Sequence, residues 1–364
     1  MIKKILKSLT LLVFVIPCHG QVDTVQLLTP TGKFPVGTAT YEWIDESRKM
    51  KIEPDVFENR AIITQIWYPS ALHTNLLIAP YSALSSDYRN THTNSYLRAP
   101  FAQEVNKCPL IIIAPGRGTE RYMYTTIAEE LASNGFIVAS VDFPEIGYVL
   151  YQDGFVLKPS KEFRMPKGMI SGPYEKVDSF YEKATEIGYQ DLLFVIDKLS
   201  SLNNNDSNNK LQDKIDMKNI GIFGHSLGGR IAGMFAARYE DVKAFAAMEG
   251  IAPRDVRYEG KINVPSLMLC GSGTLKYAID NYNIFIDNRK NVVYMTELID
   301  FGHNSLTDNP YIYPKSFGYE IDSKKALEIS RALLTEFFNE YLQGKAGFYE
   351  QNKDKEFVKM VKHQ

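Results

Sequence analysis

Ser226 stands between two glycines at the end of an apolar run, in the segment NIGIFGHSLGGRIAGMF from residue 219 to residue 235. A strand that leads into G-x-S-x-G and then into a helix is the nucleophile-elbow pattern, in which a sharp turn exposes the serine hydroxyl. Gly224 and Gly228 leave out the side chains that would collide where the two arms of this turn nearly touch. The segment therefore predicts a serine presented for attack on a carbonyl carbon, with a plain strand-to-helix turn as the structural alternative.

A serine hydroxyl is a weak nucleophile, so a general base is expected nearby. In proteins with this elbow the partners follow the serine along the chain, first an acid and then a histidine. His303, in DFGHNSLTD after the apolar run NVVYMTELI, meets this order and is the predicted base. His363 lies one residue from the end of a polar tail, which favours a surface role, and His225 inside the elbow is expected to pack or to orient its neighbours.

The position of the acid stays open at this point. Glu249 directly follows the strand-like run AFAAM and is favoured, because a carboxylate after a buried strand needs a partner such as an imidazole. Asp280 is the alternative, since it is the first acid after the next strand-like run at 266–270. Asp300 and Asp308 are weaker options beside the histidine in sequence.

Backbone N–H groups are expected to stabilise the oxyanion that forms in such a reaction. One is the N–H of Leu227, directly after the nucleophile, and the other belongs to the loop APGRGTERY that follows the strand at 109–114. Gly116 and Gly118 let this loop approach closely, so the N–H of Arg117 is the second predicted donor. A glycine turn between strand and helix is the simpler interpretation of the same loop.

Composition excludes several classes of function. The chain has 364 residues, of which 45% are hydrophobic and 23% charged, and a formal net charge of −2, with no basic stripe of the kind that binds nucleic acid. Cys108 and Cys270 lie outside any CxxC pattern and flank apolar runs, which favours buried thiols, although a disulfide between them stays open. We expect no nucleic-acid partner, no metal and no organic cofactor; the sequence leaves the oligomeric state open.

The first twenty residues are typical of a secretory signal peptide. Lysines at positions 3, 4 and 7 precede an apolar run from residue 9 to residue 17, and Gly20 offers a small residue for cleavage. The apolar run is too short to span a membrane comfortably. We therefore expect a secreted or periplasmic protein, with a lipid anchor at Cys18 as the alternative, one that Pro17 disfavours.

Apolar runs that alternate with amphipathic patterns predict an α/β protein with a mostly parallel central sheet flanked by helices. We expect one domain over residues 21–364, with cap-like insertions at about 70–108 and 143–176. Within the second insertion, the aromatic and methionine-rich stretch 147–170 is expected to be either an apolar wall or an extra structural layer. The predicted strands are Thr38–Ile44, Ala61–Tyr68, Pro109–Ala114, Phe136–Val141, Asn219–Phe223, Ala244–Met248, Ser266–Cys270 and Val292–Thr296. Helical spacing joins Tyr124 to Leu131, Tyr189 to Ile196 and Ala326 to Phe337, with Gly344 as the end of the last helix.

Together these motifs resemble a known family. The segments FPVGTATYEW, IWYPS, CPLIIIAPGRGTERYMYTTIAEELASNGFIVASVDF, IDMKNIGIFGHSLGG, AFAAMEG and FGHNSLTD are similar to those of the secreted, calcium-independent platelet-activating-factor acetylhydrolases, which are serine esterases of the α/β-hydrolase fold. The resemblance covers roughly residues 30–340 and implies Ser226 as nucleophile, His303 as base and Glu249 as acid. Two positions depart from the family pattern: Glu249 replaces an aspartate, and Pro115 precedes Gly116 where the family has histidine.

The resulting hypothesis is a serine esterase that hydrolyses carboxylic esters through an acyl-enzyme. The family resemblance implies short-chain acyl or acetyl esters, including those of phospholipids, and with them a peripheral membrane contact. A peptidase or a polyester hydrolase would use the same three residues, and a non-catalytic binding protein could keep the same fold.

Overall fold

The computed structural model describes residues 24–72, 75–81, 90–169, 174–206 and 211–364. The expected signal peptide over residues 1–20 lies outside these ranges, as does Cys18, the alternative lipid-anchor site. Within the described ranges, no helix combines the length and the apolar character needed to cross a membrane.

Fourteen strands occur in the described residues. They are β1 (Val25–Gln26), β2 (Val36–Glu53), β3 (Val56–Pro69), β4 (Ile78–Pro80), β5 (Thr91–Leu97), β6 (Cys108–Ala114), β7 (Ile137–Val141), β8 (Val149–Leu150), β9 (Val156–Leu157), β10 (Ile215–His225), β11 (Val242–Met248), β12 (Ser266–Gly271), β13 (Val293–Leu298) and β14 (Val358–His363). Twelve of them form one sheet in the order β1-β5-β2-β3-β7-β6-β10-β11-β12-β13-β14, with β4 beside β5, and β8 pairs with β9.

The centre of the sheet is parallel. The neighbouring pairs from β7 through β6, β10, β11 and β12 to β13 all run in the same direction. These strands are almost completely buried, which is why their sequences are continuous apolar runs rather than alternating ones. Antiparallel pairs are found toward the two sides, between β2 and β3, β3 and β7, and β13 and β14. The predicted mostly parallel sheet is therefore confirmed.

Helices cover both faces of this sheet. They are α1 (Thr125–Ser133), α2 (Tyr174–Asn204), α3 (Leu227–Arg238), α4 (Arg254–Glu259), α5 (Ser272–Asp287), α6 (Asn309–Ile312), α7 (Ser323–Gln343) and α8 (Phe348–Asn352). Apolar side chains of α2, α3 and α5 pack in one core, and those of α1 and α7 pack in the other. Gly344 adopts a left-handed conformation at the end of α7, as its position predicted.

Two parts of the sheet were not expected from the sequence. The insertion at 70–108 contributes β4 and β5 to the main sheet. Strand β5 could not be recognised in the sequence, because the side chains that it buries in alternation are threonine and serine rather than apolar residues. The polar tail that contains His363 forms β14, in which Val358 and Met360 are buried and Lys359 and Val361 are exposed. The tail is thus the last strand in the order of the sheet, where His363 pairs with Val293 and remains half-exposed.

The insertion at 143–176 is mainly an added layer. Its hairpin β8–β9 places Val149, Tyr151 and Leu157 in a small core with residues of the long β2–β3 hairpin. Met165 and Tyr174 instead line the cavity described below. The two alternatives for this insertion thus apply to different parts of it.

The two described cysteines are free and buried. Cys108 lies in β6 and Cys270 in β12, and β10 and β11 separate these strands in the sheet. Burial raises the pKa of the Cys108 thiol to about 12 and also raises the pKa of Cys270. The structure therefore contains buried neutral thiols at these positions and no disulfide between them.

Candidate active site

The turn at Ser226 has the geometry that its glycines predict. Ser226 lies between β10 and α3 with φ 56° and ψ −123°, a strained conformation for a residue other than glycine. A Cβ atom on Gly224 would lie 2.1 Å from the carbonyl oxygen of Gly228, and one on Gly228 would lie 1.9 Å from that of Ala114. Because neither contact is possible, both glycines are required for this turn.

Glu249 and His303 meet beside this turn. Glu249 directly follows β11, and its buried carboxylate accepts hydrogen bonds from the backbone N–H of Gly271 and the hydroxyl of Thr274. The Oε2 atom of the same carboxylate lies 3.3 Å from Nδ1 of His303. The buried negative charge thus has three partners, which a stable buried carboxylate requires.

The other acids considered from the sequence lie elsewhere. Asp280 is exposed on α5, and Asp300 is exposed in the loop after β13. Asp308 is buried, 3.2 Å from the Tyr81 hydroxyl, and burial raises its pKa to about 7. Among the described residues, none of these three carboxylates forms a hydrogen bond or ion pair with His303. The structure therefore brings only Glu249 to the imidazole.

Ser226 and His303 open onto the same cavity, which has a volume of about 150 Å³. In the described part of the chain, no hydrogen bond joins the Ser226 hydroxyl to the His303 imidazole. The side chain of His303 is 46% exposed. Because Nδ1 faces Glu249, the other ring nitrogen is the one that a proton transfer from Ser226 would use. Hydrogen bonds of this kind are often long without substrate and shorten when it binds.

The loop after β6 offers one unused N–H group. The N–H of Gly116 donates to the Tyr124 hydroxyl, that of Gly118 to Ile146 and that of Thr119 to Gly116. Among residues 116–119, the N–H of Arg117 alone makes no hydrogen bond to another described residue. Leu227 is the first residue of α3, where an N–H has no intrahelical acceptor. Both N–H groups predicted from the sequence therefore lack an acceptor in the part of the chain that the structure describes.

His225 lies between Tyr124, which accepts a hydrogen bond from Gly116 in the loop after β6, and the loop that carries His303. Its Nε2 atom lies 2.8 Å from the carbonyl oxygen of His303, and its Nδ1 atom lies 2.9 Å from the Tyr124 hydroxyl. A carbonyl only accepts, so Nε2 carries the proton and the Tyr124 hydroxyl donates to Nδ1. Burial, with a further contribution from His303, lowers the pKa of His225 to about 3 and keeps this ring neutral. The ring therefore has the orienting role that was expected for it.

The walls of the cavity include side chains that the sequence analysis did not single out. They are Tyr174, Val177, Tyr181, Arg230, Ile251, Thr274, Tyr277 and Ala278. Tyr174, Val177 and Tyr181 lie on one face of α2, and their spacing of three and four residues could have indicated a shared surface. Thr274 had no such signal, because its role depends on how the start of α5 meets the end of β11.

The chain is similar to known proteins in two independent comparisons. Residues 61–146 match the family model described as platelet-activating factor acetylhydrolase, isoform II. Among curated proteins, none matches the chain. Among solved structures, a ferulic acid esterase from Streptomyces cinnamoneus superimposes with a TM-score of 0.75 at 24% sequence identity, over 89% of this chain and 95% of that chain. The chain thus has the α/β-hydrolase fold, and residues 61–146 confirm the resemblance to the platelet-activating-factor acetylhydrolases.

Proposed function

We propose that the protein is a serine hydrolase that cleaves carboxylic esters through an acyl-enzyme on Ser226. The observation that carries this proposal is the meeting of three chain-distant residues at one cavity. Ser226 is exposed there by a strained turn, and His303 shares the cavity with its Nδ1 atom beside Glu249. The order of serine, acid and histidine along the chain is the one used on this fold.

In the first step, Oγ of Ser226 attacks the ester carbonyl carbon while Nε2 of His303 accepts the hydroxyl proton. The negative charge that develops on the carbonyl oxygen is stabilised by the N–H groups of Arg117 and Leu227. The carbon–oxygen bond to the alcohol then breaks, and the alcohol leaves with the proton from His303. The acyl group remains bound to Ser226 as an ester.

In the second step, a water molecule attacks the acyl-enzyme and gives one proton to His303. The same N–H groups stabilise the second oxyanion, and its collapse releases the carboxylic acid while Ser226 recovers the proton. Glu249 holds the imidazole with its proton on Nδ1 and stabilises the cation that forms in both steps. Its own position is fixed by Gly271 and Thr274, which supports this role for a glutamate in place of an aspartate.

A cavity of about 150 Å³ beside Ser226 accommodates compact acyl groups. Short-chain acyl or acetyl esters fit this size, and the family resemblance extends the proposal to esters of phospholipids. A phospholipid substrate would require contact with a membrane surface. The ferulic acid esterase with a similar fold also supports ester hydrolysis as the reaction.

The test is hydrolysis of a panel of nitrophenyl esters and matched peptide amides by the wild type and by Ser226→Ala. We expect ester hydrolysis by the wild type and a loss of at least 10³-fold in the variant, with an unchanged circular dichroism spectrum. Hydrolysis of amides in preference to esters would indicate a peptidase. Absence of turnover on both panels would favour a binding protein and contradict the proposal.

We also propose that the protein is exported and cleaved near Gly20. The basic start, short apolar run and small residue of the N-terminal segment support this proposal. N-terminal sequencing of the protein from the extracellular or periplasmic fraction is expected to begin close to Gln21. An intact Met1 would contradict cleavage, and a lipid-modified Cys18 would indicate an anchored form.

A further inference from the structure

The cavity beside Ser226 has a volume sufficient for one aromatic ring. Its volume is about 150 Å³, and an engineered protein cavity of roughly 150 Å³ binds benzene. Three tyrosines and Met165 line it, so much of the wall consists of aromatic and polarisable groups. A group of this size that is attached to the scissile carbonyl could fill the space while the carbonyl stays at the serine.

One wall of the cavity is positively charged. Arg230 lines it and pairs with Asp178, which also accepts hydrogen bonds from Arg257 at 3.1 Å and 2.8 Å. Although burial opposes it, hydrogen bonding from the two guanidinium groups lowers the pKa of Asp178. The three guanidinium nitrogens of Arg230 are hydrogen-bonded to Asp178 or Thr185, and one carboxylate between two guanidinium groups leaves this cluster with a net positive charge. The remaining charged group of the lining, Glu249, is occupied by its three partners.

The tyrosine hydroxyls of the lining are free to bind a substrate. Those of Tyr174, Tyr181 and Tyr277 make no hydrogen bond to any other residue that the structure describes. Burial raises the pKa of Tyr174 to about 12 and also raises that of Tyr181, so both phenols remain protonated donors near neutral pH. The cavity therefore combines aromatic rings, a guanidinium group and hydrogen-bond donors.

We propose that this cavity is an acyl subsite for aromatic carboxylic acids whose ring carries a hydroxyl or similar polar group; the proposal rests on the ester hydrolysis argued above. The π electrons of such a ring are attracted by the Arg230 guanidinium. Ring substituents accept hydrogen bonds from the tyrosine hydroxyls. An aliphatic chain of the same size would displace water from the charged wall and give no interaction in return, which disfavours its binding.

The first test compares kcat/KM for methyl esters of one alcohol and different acids: acetate, butyrate, hexanoate, benzoate and 4-hydroxycinnamate, together with monomethyl succinate. We expect kcat/KM for the better of the two aromatic esters, benzoate or 4-hydroxycinnamate, to exceed kcat/KM for hexanoate by at least about tenfold. An equal or higher value for hexanoate would overturn the proposal. So would a preference for monomethyl succinate, which would mean that the charged wall selects a carboxylate.

Variants identify the subsite. Tyr181→Ala is expected to lower kcat/KM for the aromatic ester at least about tenfold more than kcat/KM for acetate, because the larger acyl group makes more contact with this wall of the cavity. Tyr277→Ala, at a side chain that is already 54% exposed, gives a second probe with little risk to folding. Phe57→Ala is the matched control, since Phe57 is an exposed aromatic on the β2–β3 hairpin outside the cavity. Equal losses for acetate and the aromatic ester would overturn the subsite.

Binding to Ser226→Ala separates this proposal from the reaction itself. Calorimetry with intact methyl 4-hydroxycinnamate and methyl hexanoate is expected to give tighter binding of the aromatic ester by at least about fivefold. If the wild type hydrolyses acetate and butyrate but the variant binds hexanoate as tightly, the subsite is wrong and ester hydrolysis stands. If the variant binds the aromatic ester selectively and the wild type cleaves no ester, the subsite stands and the proposed reaction is wrong.

Discussion

Glu249 Oε2 lies 3.3 Å from Nδ1 of His303, although the two residues are 54 positions apart in the chain. The contact forms because Glu249 directly follows β11 and reaches across the end of β12, where the N–H of Gly271 and the hydroxyl of Thr274 hold its carboxylate. Compared with the aspartate of the family pattern, the glutamate has one more methylene group with which to reach from the end of β11 to His303. The carboxylate of Glu249 is therefore held at the start of α5, whereas His303 lies in the loop after β13.

Glu249→Gln is expected to lower kcat by about 10³-fold to 10⁴-fold, because an amide stabilises neither the imidazolium nor the required tautomer. Glu249→Asp shortens the side chain and is expected to lose contact with Gly271 and Thr274, which gives an intermediate loss of about tenfold. Steady-state kinetics with a nitrophenyl ester, together with thermal unfolding, measure both effects. A fully active Glu249→Gln enzyme would remove Glu249 from the mechanism.

Thr274→Val removes one donor to the Glu249 carboxylate and keeps the size of the side chain. A hydrogen bond to a charged group contributes about 1.5–3 kcal/mol, so we expect kcat to fall by roughly tenfold or more with little change in KM. Thr274→Ser restores the hydroxyl and is expected to restore most of the activity. Equal kinetics in the valine and serine variants would show that this hydroxyl does not position the acid.

Arg117→Pro removes the backbone N–H that we propose as an oxyanion donor, whereas Arg117→Ala keeps it. The loss of one oxyanion donor lowers turnover by about 10²-fold to 10³-fold, and we expect this loss in the proline variant only. The comparison of kcat between the two variants separates the backbone donor from the guanidinium group. Comparable activity in both would assign the oxyanion to a different donor.

His225 makes stability depend on pH. Its folded-state pKa of about 3 lies below the ordinary value of 6.5, so between these values the unfolded chain binds a proton that the folded chain does not. Stability is therefore expected to fall as pH decreases from 6.5 toward 3, by up to about 1.4 kcal/mol per pH unit from this residue. His225→Gln removes this component.

Urea unfolding of the wild type and His225→Gln at pH 7.5 and pH 4.5 measures the difference. We expect the free energy of unfolding to depend less on pH in the variant, while the other buried titratable groups contribute equally to both proteins. Identical dependence in the two proteins would show that His225 is not a buried neutral ring.

The parts of this protein that were predictable from sequence are those set by local patterns. The elbow at Ser226 was visible because two glycines, an apolar strand and a helix are contiguous, and the central parallel strands were visible as continuous apolar runs. Strand β5 was missed because its buried side chains are threonine and serine. The choice between Glu249 and Asp280 stayed open because it depends on the order of strands and on a side chain that crosses between them.

The surroundings of the candidate site were less predictable for the same reason. Thr274, Arg230 and the tyrosines of α2 come together only when α2, α3 and α5 pack on one face of the sheet. The hydrogen bonds from Gly116 through Tyr124 and His225 to His303 join residues from three segments. No local spacing encodes such contacts, although Arg117 could be singled out from the glycines beside it.

Covalent labelling with a fluorophosphonate tests the central claim most directly, because the reagent reacts much faster with an activated serine than with an ordinary hydroxyl group. We predict that peptide mass spectrometry finds the label on Ser226 in the wild type, and that labelling is lost in Ser226→Ala and strongly slowed in His303→Ala. An unlabelled wild-type protein, or a label on another serine, would contradict the account.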